Sequence, residues 1–579
     1  MLFDGAALPA PTQAPRRRSG PHRSLRRIAR SIDPRRGSGP SRRSRRQDAR
    51  ALQIPESTLR SWEHAHAKAL VDADGEPTAD AFFRSPVGRD VLHRLWVAVL
   101  FGVTLCGAGG ARLAARIFQL AGLARWIGAS PASCQRAARA MTDRVADFGR
   151  EESQRLAAQG PTRKITICED ETFHPQTCLV AMEPVSNFIL LERYTEGRSS
   201  RAWKDAFSAA TEGLRIEVVQ GVGDAGKALT HHIAIDLGAH KGPDLFHVQY
   251  DVSRASAPVL AARLRAATRA HEDAVLALAD VADAHAKALR SPRLPGRPID
   301  WAARRRRAYQ ALRDAACALE EAEHHRADMR AANRALGVAY HPYDLVTGAA
   351  REPAVVEAEL KASFEEIWSI AGHASLPDSR WSTLRKAEAM IPAMTATLVF
   401  VQGLIAARTA ALALPAAALA CVRTLLIPGL YLARQAAQQT GREARATLRV
   451  RSAELLQEAA ASASWAAVPT ALRVQAESVA RECAWLFIRS SACVEGRNGQ
   501  LALHHHHLHR IPAKKLAALT TAHNYATFRD DGTTPASRFF GQSHRDLSEY
   551  LCEHMPDPPH PRRRRPSGRA AREPDAAQG

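Results

Sequence analysis

Residues 163–250 read differently from everything around them, and that contrast limits what the chain can fold into. Residues 164–168 (KITIC) form a short β-rich run. Residues 177–182 and 188–194 form two more, on either side of Pro184-Val185-Ser186-Asn187, which has turn chemistry. The spacing predicts three consecutive antiparallel strands. Residues 200–214 then read as a helix and 216–219 (IEVV) as a fourth strand that runs out at Gly221-Val222-Gly223-Asp224. Another helix and a short strand near residues 245–246 complete the expected order.

Residues 254–480 are nearly all helical in pattern. Leu260, Leu264, Ala267, Ala270, Ala274, Leu278 and Val281 recur at three- and four-residue steps. Residues 292–298 break the run, and a second helix is expected over 301–336. The two predict an antiparallel, coiled-coil-like hairpin with a charged outer face. A stretch of this length is too long for a structureless loop, so a folded insertion is expected, leaving the sheet near Ser253 and returning near Arg481. Within it, residues 389–407 carry no charge but include Pro392, Thr395, Thr397, Gln402 and Gly403. These polar and helix-breaking residues favour a buried helix over a membrane span.

The net charge of +21 sits mostly at the ends. Residues 1–50 hold 14 Arg against three Asp, and residues 560–579 hold six Arg against one Glu and one Asp. Such blocks repel one another and bury nothing, so residues 1–46 and 551–579 are expected to be disordered tails. Their natural partner is a polyanion, bound through its phosphates with a strong salt dependence; a plain solubility tail is the blander reading. The nine Cys are scattered without a Cys-x-x-Cys pair, and no apolar stretch follows the early Arg residues. Both features lead us to expect a reducing cytoplasm, with no secretion signal and no membrane.

Residues 47–150 are expected to be helical. Residues 49–62 (ARALQIPESTLRSW) break at Ile54-Pro55 and restart near Glu56-Ser57, the outline of a helix-turn-helix. Residues 123–138 repeat the outline, with Gly128 at the turn, Ser130 as a cap and Pro131 at the first helical position. Arg60 and Arg136 would lie on the second helices and face DNA. Ordinary helical hairpins give the same pattern.

Phosphodiester chemistry uses hard divalent cations, which take carboxylate oxygens. Asp170 is expected to close the first strand and Asp224 the fourth, and neighbouring strands would bring the two together. Glu495, in SACVEGRNGQ (491–500), would supply a third carboxylate from a late helix. The three are expected to converge within roughly 10 Å, around two ions. Capping roles for Asp224 and Asp244 are the simpler alternative. Asn498, one turn beyond Glu495, and Arg497 would touch DNA or orient Glu495. The histidines at 504–507 and 509 suggest a solvated or DNA-facing basic strip rather than zinc, because adjacent His residues diverge on a helix.

Residues 165–183 (ITICEDETFHPQTCLVAME) and 491–500 resemble segments of bacterial transposase-like proteins related to the DDE insertion-sequence transposases. Asp244-Leu245-Phe246-His247, Asp531-Gly532-Thr533-Thr534 and Arg538-Phe539-Phe540-Gly541 extend the likeness. The resemblance covers roughly 163–250 and 485–545. It implies an α/β RNase H-like (integrase-like) core, in parts at 163–253 and 481–550, split by an all-α insertion. It implies catalytic and metal-binding roles for Asp170, Asp224 and Glu495, with Asp244 and His247 in support. Mg²⁺ or Mn²⁺ as cofactor, double-stranded DNA as partner, a homodimer or larger oligomer, and a nucleoid-associated bacterial location follow as expectations. Glu169 and Glu171 flank Asp170, so its choice among the three leans on that pattern. The rival readings are a catalytically silent DNA-binding relic or regulator, a helical interaction scaffold, and an RNase H-like nuclease acting on another substrate.

Overall fold

The structure, a computed structural model, describes residues 55–58, 60–61, 79–173, 175–291, 298–507 and 510–561. The described residues fall in two compact units, one within Met1–Val103, Gly110–Ala138 and Met555–Gly579, the other within Thr104–Gly109 and Arg139–His554.

The first unit is helical. It contains α1 (Ala79–Arg84), α2 (Pro86–Phe101), α3 (Ala111–Leu120) and the start of α4 (Pro131–Gln159). Ser85 caps α2, its hydroxyl accepting from Gly88 N at 3.0 Å, with Pro86 in the first position. Trp96 and Phe118, both buried, stack at 4.8 Å and join α2 to α3. Before α4, Ser130 Oγ accepts from Ser133 N at 3.1 Å, the cap the sequence suggests. The helix it opens is 29 residues long, and Arg136 on it is exposed. The first helix-turn-helix expectation, 49–62, lies largely outside the described residues; within it Thr58 N donates to Pro55 O at 3.0 Å and Arg60 is exposed. Of the tail expected from 551, residues 551–561 are not loose: His554 ends a helix, Met555 is buried, and Gly128 N donates to Pro559 O; the rest of it, like the tail expected at 1–46, lies outside the described residues.

The second unit is mostly helical, with one mixed five-stranded sheet. The strands are β1 (Arg163–Phe173), β2 (Thr177–Glu183), β3 (Phe188–Tyr194), β4 (Ile216–Gly223) and β5 (His240–Pro243), in the order β3-β2-β1-β4-β5. β1, β2 and β3 are antiparallel neighbours, while β4 and β5 run parallel to β1. The β2–β3 turn is drawn in by Glu183, whose carboxylate accepts from Val185 N at 2.8 Å and Ser186 N at 2.7 Å, and Asn187 takes φ 62°. Helices α5 (Ser200–Thr211) and α6 (Lys227–His231) separate the later strands.

Two expectations about the sheet change. The last strand is His240–Pro243, and residues 245–246 instead open a helix capped by Asp244. β1 runs past Asp170 to Phe173, because its pairing with β2 outlasts its pairing with β4.

From Leu245 the chain enters α7 (Leu245–Arg290), then α8 (Trp301–Ala339), α9 (Pro353–His373), α10 (Asp378–Glu388), α11 (Ile391–Ala410), α12 (Ala416–Cys421), α13 (Ile427–Gln438), α14 (Arg442–Ala461), α15 (Ala463–Ala466) and α16 (Thr470–Trp485). These helices share a core that includes Phe364, Ile367, Leu398, Val401, Tyr431, Leu432 and Phe487. The segments Asp378–Ala410 and Ala416–Gln438 are long and apolar enough to cross a membrane by length and composition. Here Met394, Leu398, Val401, Val422 and Leu432 turn their apolar faces into this core.

The insertion is joined at a different place from the one expected. Leu245 N donates to Arg489 O at 2.9 Å, so the chain leaves at 245 and returns at 489. It also packs on the sheet. His240 of β5 stacks on Phe400 of α11 at 4.2 Å and lies 3.0 Å from Thr397 Oγ1. The helices and the sheet therefore form one compact body. The chain then closes with α17 (Ala492–His507), α18 (Ala513–Ala526), α19 (Pro535–Phe540) and α20 (Leu547–His554). On the opposite sheet edge, Asn524 of α18 stands in for a neighbouring strand, accepting from Ile189 N at 2.9 Å and donating to Ile189 O at 3.0 Å.

Candidate active site

Strand pairing brings the first two acids together. β1 and β4 run parallel with Cys168 opposite Val222, so Asp170 and Asp224 are corresponding positions two residues further on. In a parallel pair such positions share a face. Alternation sends the flanking acids to the other face. Glu169 is buried there with its Oε1 3.5 Å from His232 Nε2. Glu171 accepts from Trp203 Nε1 at 3.2 Å and from Arg198 Nη1 at 3.0 Å. Of the three adjacent acids, only Asp170 faces the helix that carries Glu495.

That helix is α17, and two contacts fix its start. Cys168 donates its thiol to Ser490 O at 3.7 Å and also meets the Cys493 thiol, which together with burial pushes the Cys168 thiol well up. Asp244, at the end of β5, accepts through Oδ2 from Ser491 Oγ and from Ser491 N at 3.3 Å. Its Oδ1 caps α7 by accepting from Phe246 N at 2.8 Å. One carboxylate thus ties the last strand, the first insertion helix and the first turn of α17.

Asp244 also holds His247, whose Nδ1 lies 2.9 Å from Oδ2. Burial alone would push Asp244 up, but His247, Ser491 and Phe246 N hold it below the usual aspartate range. In return Asp244 raises the His247 imidazole against its burial, with Asp170 and Asp224 adding to the effect. Asp170 is 8% exposed and accepts from Glu171 N at 2.8 Å. Burial, with the carboxylates of Glu495 and Asp224 acting in the same direction, pushes its carboxyl up to about 7 against the Glu171 N–H and His247. The charges of Asp224, Glu495 and His247 thus all act on the buried Asp170 carboxyl.

Asp224 closes β4 with a tight turn, its Oδ1 accepting from Gly226 N at 2.9 Å. A Cβ at Gly226 would stand 2.9 Å from that same oxygen, so the turn favours glycine. Glu495 is exposed in the first turn of α17. Among the described residues no group of three or more His, Cys, Asp and Glu has the geometry to hold a metal ion. The carboxylates are close enough to repel and are not drawn into a ready coordination shell.

Other expectations are corrected. Arg497 is buried and faces Glu192, not solvent or DNA. Its Nε and Nη2 reach the two Glu192 oxygens at 2.8 and 2.7 Å, and Thr520 Oγ1 donates to the same carboxylate at 2.6 Å. Asn498 is half-buried, with an Oδ1 that meets no hydrogen-bond donor among the described residues. His504 is buried, His505 half-buried and His506 exposed, so these positions are not one solvated strip; His509 and the His507 side chain lie outside the described residues.

Sequence reasoning missed Lys241. Its Nζ donates to Gly223 O at 2.7 Å and Gly242 O at 2.9 Å, bridging the ends of β4 and β5 beside Asp224. Burial pushes it down to about 8, against the pull of Asp224, Glu169 and Asp244. A lone Lys on a four-residue strand carries no sequence signal. Glu192, the partner of Arg497, was equally silent.

A model described as a family of unknown function (DUF6399) matches residues 422–567. The match includes Glu495 and the helices that hold it, while Asp170 and Asp224 lie outside. No curated protein and no solved structure matches the chain.

Proposed function

We propose that the chain is a transposase-like enzyme that cuts and joins phosphodiester bonds in double-stranded DNA, with an RNase H-like sheet as its catalytic core. The observation that carries this reading is the meeting of three acids from distant parts of the chain: Asp224 and Glu495 stand close enough to Asp170 for their charges to act on its buried carboxyl. The strand order, with three antiparallel strands and two parallel ones added beside β1, supports it. So does the placement of the acids, after β4, just beyond the β1–β4 pairing, and on a late helix.

Asp170, Asp224 and Glu495 are the residues that would hold Mg²⁺ or Mn²⁺. Carboxylates crowded around a buried Asp170 are a donor set that hard cations favour. Such ions would supply an activated nucleophile and stabilise the leaving oxygen. Asp244 orients His247 through Nδ1, leaving Nε2 to exchange a proton beside Asp170. Lys241 holds the ends of β4 and β5 in place. DNA ends and target as substrates, oligomeric assembly and a nucleoid-associated cytoplasmic location belong to the same proposal.

A second reading, a DNA-binding relic that keeps the fold without the reaction, is favoured by the fact that among the described residues no cluster of His, Cys, Asp and Glu is arranged to hold a metal ion. Nicking of supercoiled DNA separates the two. The enzyme reading expects nicking by the full chain with Mn²⁺ or Mg²⁺, lost in Asp170→Asn, Asp224→Asn and Glu495→Gln. Duplex binding without nicking under any of these conditions selects the relic.

A further inference from the structure

Helices α7 and α8 project from the sheet as an antiparallel arm. Their buried residues cluster at the base: Leu245 to Leu260 on α7, and Met329 to Ala339 on α8. None of the described residues in 261–328 is buried. The stretch from Leu260 to Arg290 corresponds to about 45 Å of helix. Half-buried Leu264, Ala274, Leu278, Leu312, Ala315 and Leu319 are spaced as a seam along it.

The tip differs from the shaft. Lys287 and Arg290 end α7, and Arg304, Arg305, Arg306 and Arg307 lie in the second turn of α8. The one described acid between Lys287 and Arg307 is Asp300, and its carboxylate is occupied as a cap, accepting from Ala303 N at 2.8 Å. Among the described residues these six cations make no ion pair, whereas acids such as Glu320, Glu321 and Glu323 populate the shaft. The tip is also stapled: His285 and Trp301 stack at 5.1 Å between the helices, and Arg304 lies over the Trp301 ring at 5.4 Å.

This charge arrangement opposes local stability. The first turns of a helix carry the positive end of its dipole and favour acids. Four consecutive arginines there add like charge to like. Successive residues turn by about 100°, so the four fan around most of the axis. A membrane-surface helix needs cations on one face and apolar residues on the other, which this fan does not supply. What it supplies is several guanidinium groups that can straddle a curved row of phosphates.

We propose that the arm tip is a contact surface for the phosphate backbone of double-stranded DNA, independent of sequence and remote from the acid cluster. The inference rests on the reading that the cluster acts on DNA. It extends that reading by giving the duplex a second point of attachment on the same chain.

The test uses the full chain and a variant combining Arg304→Ala, Arg305→Ala, Arg306→Ala and Arg307→Ala. Alanine preserves helix, and circular dichroism checks it. Binding to two unrelated duplexes is measured by anisotropy across a salt series from about 50 to about 200 mM, where each lost phosphate contact removes about 0.9 from the log–log slope. The expected result is a slope smaller by roughly 2–4, equal on both duplexes and unaffected by Asp170→Asn. An unchanged slope overturns the proposal. So does a loss confined to one sequence, or a loss of binding to phosphatidylserine vesicles with DNA binding intact. The nicking assay is read separately. A reduced slope without nicking keeps the arm contact and sinks the enzyme reading; nicking with an unchanged slope does the reverse. A full chain that binds no duplex ends both.

Discussion

Asp170 is a buried acid whose ordinary value of 3.8 rises to about 7. A raised carboxyl is a cost to folding that grows as pH climbs from about 4 to about 7 and is complete above that. Asp170→Asn is therefore expected to stabilise the metal-free protein at pH 8 by about 2–4 kcal/mol and to give no gain near pH 4. Urea melts at the two pH values check it, and equal effects at both would show that the carboxyl carries no such strain. The Asp244–His247 pair has the opposite sign. Asp244 is held down, so its contribution is present above 3.8 and is lost as pH falls through its depressed value. His247 is held up, so its share is fully present below 6.5 and fades as pH rises through its elevated value. Asp244→Asn should lower the His247 midpoint in an NMR titration and cost roughly 1–3 kcal/mol through the lost cap and the Ser491 contact. Part of this arrangement was legible at the residue scale. The ordered segments around Asp170, Asp224 and Glu495 singled out these acids through their resemblance to a known pattern, while the strand alternation that turns Asp170 away from Glu169 and Glu171 appears only in the paired sheet. The electrostatic roles of Lys241 and Glu192 were not legible, because they arise from neighbours far away in the chain.

Helix α17 shows why a residue type does not disclose its role. Arg497 sits two positions after Glu495, yet 3.6-residue periodicity turns it inward onto β3. Burying a guanidinium requires a carboxylate in bidentate register, and Glu192 provides it. Arg497→Met should therefore act on stability, not on DNA contact, at about 3–5 kcal/mol, because it leaves Glu192 buried without its partner. Pairing it with Glu192→Met should recover a large part of that loss, as denaturant midpoints would report. A small effect of the single change would show that the pair is dispensable. The strands divide in the same way. β1 to β4 carry β-branched and aromatic runs and could be read directly. β5 is His-Lys-Gly-Pro, which has no strand propensity. It is a strand because β4 pairs with it and α11 covers it, both tertiary effects. The apolar pair at 245–246 opens α7 instead of forming a strand, because the Asp244 carboxylate caps the helix there, the simpler of the two roles its sequence position offered.

At the scale of the molecule, the long helical segment has two parts with opposite relations to the sheet. The base of α7 and α8, with α9 to α16, shares one core, and α11 packs on β5 through Thr397 and Phe400. Helical periodicity foretold the helices but not this contact, because a pattern of apolar positions does not say which surface they meet. Replacing 260–475 by a short Gly/Ser linker would strip β5 of its cover and expose the apolar residues at the base of α7. We expect that truncated chain not to fold, in contrast to a freely removable insertion. The distal arm is different: among the described residues of 270–316 none is buried. Joining 269 to 317 by a short Gly/Ser turn keeps the two helices adjacent, and a shorter loop costs little closure entropy. This shortened chain should retain the cooperative melt of the full protein within a few degrees, a shift of about 1 kcal/mol or less. Amide exchange in β1, β4 and α17 should match that of the intact chain, since the sheet has lost no neighbour. Faster exchange at Asp170 and Asp224 would mean that the arm supports the sheet at a distance, and the arm would then no longer be separable from the acid cluster.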